Sequence, residues 1–582
     1  METKRSNKKI KLNNDPVQKK LDFYFISPKP SNQLAVIEEQ NDKKEKLDQE
    51  HSPLSPTPTS TSTTTATPIS NSSMSDVSPN EGNEKQESFY ESSMYTDEFN
   101  SMLATVLDGE QFLFTPTELK VFHTYQYEIN GDAKHLYVRL WMRKKRRWIR
   151  IDKLKANNKH VRDLKAAAQQ LREHGLTSKH EIPIEDALEL LSVDELKQIA
   201  PCRAANRAEY ITTIRTQCNT SEIRRRVGYC ILLDEHIHGL FHRVHLVYYR
   251  LTVLEEENPM TAAILARISR RNYPDYVTCR TTTVWTSRDD LLAYEQALKV
   301  ELQFEEQNLK AKIDHDQDLL LTCWELCENH IGLWEDMLKE RHNKDDYSSQ
   351  GSFFSRRPYS MRQFEACRVY TRLLDHGTQV LAKLHEYDLE AIMLRKLLAQ
   401  KVYRLAKRGC WYDRLALVQS KKQDRKAKKE ALATCIKGIQ DPTVHSIDLH
   451  RLHRRIHRLE RDLAIPKREQ LDFSYLQLRK PQERIIYGER ISESVSGFKS
   501  IWRADDGAEC SVEALSLDYY KKQGYTQGYH TEGGMISMLF ILLFWDIVFA
   551  PMDGVFETSY QSAPLDMGSD AFYAGNKSQG CV

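Results

Sequence analysis

The segment His530-Thr531-Glu532-Gly533-Gly534 follows Gly524-Tyr525-Thr526-Gln527-Gly528-Tyr529 and precedes a long apolar run. It places Glu532 at the mouth of a predicted helix. A divalent cation takes oxygen ligands of this kind. A helix N-terminus also accepts negative charge and capping side chains, so metal binding and capping both fit. Cys323-x3-Cys327-x2-His330 would set two thiols on one helix face, but no fourth ligand accompanies them. Core cysteines are the simpler reading. Pro274-Asp275 has half of a metal-binding pattern and lacks a Glu-x-Lys at suitable spacing, so it reads as structural. The run Arg143-Lys144-Lys145-Arg146-Arg147 lies between Trp141 and Trp148. Such cations gain by releasing counterions from phosphate, and flanking tryptophans can anchor the segment on a core. Contact with DNA and a solvated structural turn both fit the pattern.

These residues need a scaffold, and the composition supplies one. The chain has 582 residues, 40% hydrophobic and 29% charged, enough for three or four domains at roughly 150 residues each. Its 84 Lys+Arg against 82 Asp+Glu leave a net charge of +2, which excludes a small, uniformly basic nucleic-acid binder but not local patches. Eleven cysteines, the first at Cys202, form no dense framework, and the charged start is no secretory signal. Met535 to Ala550 falls short of the roughly 20 residues of a span and is interrupted by Asp546, so a buried helix is expected and no membrane association.

Residues 1–97, with Ser-Pro and Thr-Pro pairs around a Thr/Ser run, are expected to be a disordered tail. Its lysines and Arg5 suit a nuclear import signal or a solvated basic tail. Helical spacing covers Val161 to Glu173, Ile184 to Ala200 and Arg207 to Cys218. Tyr229 to Leu233 and Phe241 to Leu254 read as strands. From Ser287 to about Leu463 nearly everything is helical, without a strict period, as in an irregular tetratricopeptide-like solenoid. Arg484 to Cys510 reads as strand and loop, and Val512 to Gln523 and Gly533 to Phe549 as helices.

Within the tail, Gln18, Leu21, Tyr24 and Phe25 have the form Gln-x-x-aliphatic-x-x-aromatic-aromatic. One helical turn would make Leu21, Tyr24 and Phe25 a three-pronged apolar plug. This resembles the peptide by which replication and repair proteins bind the sliding clamp PCNA. Residues 184–218, with Arg203 and Asn206 between two short helices, resemble a degenerate SAP motif, a DNA-binding unit; an ordinary helical hairpin also fits.

Several blocks occur in one order: Leu140-Trp141-Met142-Arg143-Lys144, Arg147-Trp148-Ile149-Arg150, Leu188-Glu189-Leu190-Leu191-Ser192, Trp411-Tyr412-Asp413-Arg414-Leu415-Ala416-Leu417, Gly528-Tyr529-His530-Thr531-Glu532-Gly533 and Leu543-Phe544-Trp545-Asp546-Ile547. From about Asp97 to Tyr573 the chain resembles the Fanconi-associated nuclease 1 family. The resemblance implies a nuclear, structure-specific DNA nuclease, a 5′-flap endonuclease and 5′-to-3′ exonuclease of phosphodiesterase I type, acting on branched or flap DNA in interstrand cross-link repair. It implies a mainly α protein with a tail (1–97), a SAP-containing DNA-binding region (98–285), a tetratricopeptide-like region (286–480) and a VRR-type, restriction-endonuclease-like α/β module (481–582). It implies Mg²⁺ or Mn²⁺, with Glu532 at the first metal-binding carboxylate. The family's 5′-phosphate pocket often has a basic residue where this chain has Cys410; Lys407 and Arg408 are candidates to substitute. No ubiquitin-binding zinc finger is expected, since no cysteine precedes Cys202.

The family's Gly-Gly-x-Pro-Asp and Glu-x-Lys blocks do not follow Tyr573. The nuclease module is therefore expected to be truncated here, by a frameshift or a misread gene, and this polypeptide to be inactive alone. The alternative is a short form that binds branched DNA and the clamp without cutting. Replacing both Tyr24 and Phe25 with Ala is expected to abolish capture of the chain on immobilised PCNA; undiminished capture would remove the motif from the account.

Overall fold

The computed structural model describes residues 8–11 and 93–572, apart from 144–145, 158–159, 200–205, 218–219, 255–259, 349–358, 423, 477–481, 492–499, 505 and 532. The elements below belong to one unit, residues 1–26 together with 94–582. Within the segment expected to be a tail, Lys8–Lys11 is a short strand, β1.

The helical body opens with α1 (Met94–Glu110), whose Phe99, Met102, Leu103 and Val106 are buried at helical spacing. α2 (Pro116–His123) starts on a complete capping box, Thr115 with Glu118. α3 (Gly131–Trp141) is capped by Asn130, and α4 (Leu164–Glu173) by Asp163. Between them Ile149–Arg150 (β2) pairs antiparallel with Cys230–Ile231 (β3). The intervening chain forms four short helices, α5 (Ile184–Leu190), α6 (Val193–Ile199), α7 (Arg207–Gln217) and α8 (Thr220–Val227). They have a core of their own around Leu188, Leu196, Ile214 and Ile223.

The next segment corrects a sequence expectation. Phe241 to Leu254 is mostly helix: α9 spans Glu235–Tyr249, capped by Asp234, and buries Leu240, Phe241, Val244 and Val247 on one stripe. Its β-branched and aromatic residues favour strands only weakly, and burial against Phe99, Tyr125 and Tyr137, whose rings lie 5.2–5.5 Å from that of Phe241, prevails. α10 (Thr261–Arg267) completes this part.

The second part is α11 (Arg288–Asp314), α12 (Gln317–Glu328), α13 (Ile331–Ser348), α14 (Ala366–Leu384), α15 (Tyr387–Ala399), α16 (Arg408–Ser420), α17 (Arg425–Gln440) and α18 (Ser446–Asp462). Most neighbours pack in succession, α14 lies against α11, α12 and α13, and α16, α17 and α18 close a separate small core. The main core runs unbroken from Phe99 through Trp285 and Leu291 to Val418. Cys323 and Cys327 belong to it, as a structural reading of those thiols requires.

Beyond α18 lie Ile485–Arg490 (β4), Trp502–Arg503 (β5) and Glu509–Cys510 (β6), an antiparallel sheet in the order β1-β4-β5-β6. α19 (Val512–Lys522) crosses it closely. A Cβ on Gly488 would meet the Leu515 side chain at 2.5 Å, so the approach depends on glycine. The apolar run then forms α20 (Gly534–Leu543) and α21 (Trp545–Val548). The expectation of a buried helix is not met: no residue of α20 is buried, Ile536 is 72% exposed and Leu543 77%. Hydropathy alone marks a run as able to be buried; burial needs a covering surface, and the described residues provide none here. No helix among the described residues is long and apolar enough to cross a membrane.

After α21 the chain returns to the helical body. Val555, Phe556, Glu557 and Thr558 are buried, and Cys279 N–H donates to Phe556 O at 2.8 Å. Glu557 accepts from Arg250 Nε at 3.1 Å and from Thr281 N–H. Arg250 is fully buried at the end of α9. Its Nη1 stands 2.7 Å from Glu110 while donating to Val247 O, and its Nη2 donates to Thr281 O at 2.6 Å. Arg280 also reaches Glu110, at 2.5 Å. Removing one member of such a buried set leaves the others uncompensated, at about 3–5 kcal/mol. Arg250→Met should therefore destabilise the chain by about that much in chemical denaturation. Lys339→Gln, which breaks an exposed pair with Asp336, should leave the midpoint unchanged; equal midpoints for Arg250→Met and the unmodified chain would refute the assignment.

Candidate functional site

The basic run between Trp141 and Trp148 bridges two cores. Trp141 is fully buried in the main one, its ring 5.0 Å from Phe99, and Trp148 packs against the core of α5–α8. Arg143 is half-buried. Arg146 is tied to α9, donating to Leu233 O and Glu235 at 2.9 Å each. Arg147 is exposed, and Lys144 and Lys145 lie outside the described residues. The run thus divides: Arg146 positions the turn, and Arg147 is open to an anion.

Arg150, at the end of β2, carries the adjoining four-helix module. It donates to Glu195 at 2.7 Å and to Arg226 O at 3.4 Å. Arg207 pins α7 to α5 through the Glu189 and Leu191 carbonyls, and Asn206 caps α7 through Glu209 N–H. Arg203 lies outside the described residues. On the outer face Arg215 pairs with Glu185, Arg224 with Glu181, and Arg225 and Arg226 with Glu222. Hydrogen bonds from Arg225 and Arg226 hold the Glu222 carboxyl down at about 2. Exposed pairs of this kind contribute little to stability, and their arginines can exchange a carboxylate for a phosphate.

The two candidates beside Cys410 part company. Lys407 is half-buried at the end of a 3-10 turn, Leu405–Lys407. Arg408 is 1% exposed. Its guanidinium pairs with Asp441 at 2.7 Å and donates to Leu398 O and Gln400 O. Arg408 is therefore a structural pin, which corrects its sequence-based place among DNA contacts. Cys410 touches Asp448 at 3.6 Å and accepts from Arg451 at 3.4 Å. Burial pushes its thiol above the usual range. A Cβ on Gly409 would stand 2.3 Å from Asp448, so α16 and α18 meet here only through glycine. The sequence reading missed Arg451; the one signal for it was the arginine-rich spacing of α18. Arg414 is likewise structural, bonded to the buried Glu390 at 2.5 and 2.9 Å.

Glu532 lies outside the described residues, as do Gln18, Leu21, Tyr24 and Phe25. Next to Glu532, His530 and Thr531 are exposed and Gly533 adopts φ +89° before α20. Mg²⁺ and Mn²⁺ favour several oxygen ligands. The described residues contain no group of three or more His, Cys, Asp or Glu placed to hold a metal ion.

The fold defines a class: a mainly helical scaffold of tetratricopeptide type with a small helical module and a small antiparallel sheet. Residues 306–460 match the family model for the tetratricopeptide domain of Fanconi-associated nuclease 1. The chain is 30% identical over 533 residues to the Fanconi-associated nuclease 1 homolog of Schizosaccharomyces pombe, covering 84% of this chain and 74% of that one. It is 27% identical over 532 residues to the Homo sapiens Fanconi-associated nuclease 1, with 83% of this chain and 50% of that one covered. A crystal structure of paFAN1 bound to 2nt 5′ flap DNA with gap superposes with a TM-score of 0.54 at 18% identity, covering 84% of this chain and 76% of that one. The chain belongs to the Fanconi-associated nuclease 1 family, and it spans about half the length of the human relative.

The joint between β2 and the four-helix module has a pH signature. Burial raises the Glu195 carboxyl, but Ser192 and Arg150 together hold it down at about 2 against an ordinary 4.5. A depressed carboxylate stabilises the fold fully above its unfolded value and loses that effect as pH falls through the folded one. The stability difference between the unmodified chain and Glu195→Gln should therefore shrink from pH 4.5 toward pH 2. A difference constant over that window in thermal unfolding would show that the pair does not form.

Proposed function

We propose that this chain belongs to a nuclear, metal-dependent DNA nuclease that acts at 5′ flaps in interstrand cross-link repair, as a 5′-flap endonuclease and 5′-to-3′ exonuclease of phosphodiesterase I type. The observation that carries this reading is family membership joined to a fold shared with paFAN1, a protein solved on 5′-flap DNA. The basic run supports it: Arg147 is exposed, and the run, which also contains Lys144 and Lys145, carries cations suited to a phosphate backbone. Arg143 and Arg146 shape that turn, and Lys407 is the remaining candidate near Cys410. Gln18, Leu21, Tyr24 and Phe25 would join the protein to the sliding clamp. Glu532 would contribute one oxygen ligand to Mg²⁺ or Mn²⁺. When bound, such an ion polarises the scissile phosphate and activates water.

The family's Gly-Gly-x-Pro-Asp block does not occur among these 582 residues. The alternative reading is a scaffold: a short form that grips branched DNA and the clamp without cutting. The purified chain should bind a labelled 5′-flap substrate more tightly than a plain duplex of equal length, and should leave it intact with Mn²⁺. Equal affinity for the two DNAs overturns the flap reading; metal-dependent cleavage overturns the scaffold reading.

A further inference from the structure

α18 carries five arginines, and the structure sorts them. Leu452, Ile456 and Leu459 fix the inner face of the helix. Arg451 and Arg455 lie beside that face and are engaged: Arg451 with Asp448 and Cys410, Arg455 with Asp413 at 2.6 and 3.0 Å. Arg454, Arg458 and Arg461 stand at i, i+4 and i+7 on the outer face and are exposed. Among the described residues none of the three is bonded to a carboxylate. A contact of 3.7 Å between Lys428 and Asp462 brings the start of α17 to the end of α18. Arg425, Lys426 and Lys429 are exposed at that start, also without ion pairs among the described residues.

This charge does not serve the fold. The first turn of α17 holds no acidic residue, so its cations face the positive end of their own helix. Arg454 and Arg458, one turn apart, repel each other. Only Arg461, in the last turn of α18, sits where a helix favours a cation. Residues 425–462 contain ten Lys/Arg against five Asp/Glu, an excess larger than the +2 of the whole chain. Arginine predominates on α18, and its planar fork matches phosphate oxygens in pairs. Seven residues of helix span about 10 Å, enough to follow successive phosphates of one strand.

We propose that this face, Arg454, Arg458 and Arg461 with Arg425, Lys426 and Lys429, is a sequence-independent contact for a duplex arm of DNA, separate from the basic turn at 143–147. The inference rests on the DNA-binding reading above. It assigns the outer edge of the tetratricopeptide-type region to the phosphate backbone of the substrate.

The test uses the full chain and a fluorescein-labelled 5′-flap DNA in anisotropy titrations between about 50 and 200 mM salt. The triple variant Arg454→Gln, Arg458→Gln, Arg461→Gln should bind more weakly. The slope of its log affinity against log salt should be shallower by about 2.7, near 0.9 for each lost phosphate contact. The corresponding triple lysine variant should restore the slope. An unchanged slope, including a uniform loss of affinity at every salt concentration, overturns the contact; unchanged affinity would instead assign the face to an acidic protein surface. Failure of the unmodified chain to bind flap DNA at all would overturn the proposed function itself, a result distinct from the variant behaving like the unmodified chain.

Discussion

A fully buried arginine at the left-handed end of α9 has to be coordinated from three distant parts of the chain. Arg250, at φ 52°, meets Glu110 from the end of α1, Thr281 from the loop before α11, and Glu557 from the segment after α21. An unpaired guanidinium in that position would carry a desolvation penalty of several kcal/mol. The three segments are therefore stable together and unstable apart. A second clasp works in the same way. Glu118 completes the capping box of α2 while taking Arg243 of α9 at 2.9 Å and Arg288 of α11 at 2.5 Å. Through these two points the first helices, the tetratricopeptide-type region and the segment after α21 are joined.

One residue type does two opposite things. Arg250, Arg408 and Arg414 are spent on internal carboxylates and carbonyls and set the geometry of helix ends. Arg147, Arg454, Arg458 and Arg461 have the same side chain and face solvent. What separates the two groups is the burial of the helix face that carries them. The blocks by which the family is recognised fall largely in the first group, with Trp411 donating to the buried Asp375 at 2.7 Å and Arg414 holding Glu390. Family resemblance is carried here mainly by packing residues.

Much of the architecture was legible in the chain. Helices at 193–199, 287–463 and 512–523 follow from the spacing of their apolar residues, and the two tryptophans around the basic run anchor it as expected. The segment from Phe241 was misjudged because β-branched and aromatic residues suit a strand locally, whereas its burial pattern depends on Phe99 and Tyr125, more than a hundred residues earlier. Arg408 was misjudged for a related reason: its partners, Leu398, Gln400 and Asp441, come from neighbouring helices and their loops. At the candidate metal position the sequence named a carboxylate, Glu532, which lies outside the described residues.

By itself the sequence determined the helical class, the position of the basic turn and membership of a nuclease family, because periodicity, charge runs and rare motif blocks are local properties. Only the tertiary structure decided which arginines are pins and which are open to an anion, that one core joins the first helices to the tetratricopeptide-type region, and that α20 lies uncovered among the described residues. Burial is set by what packs on a residue from elsewhere in the chain, and no local pattern encodes that partner.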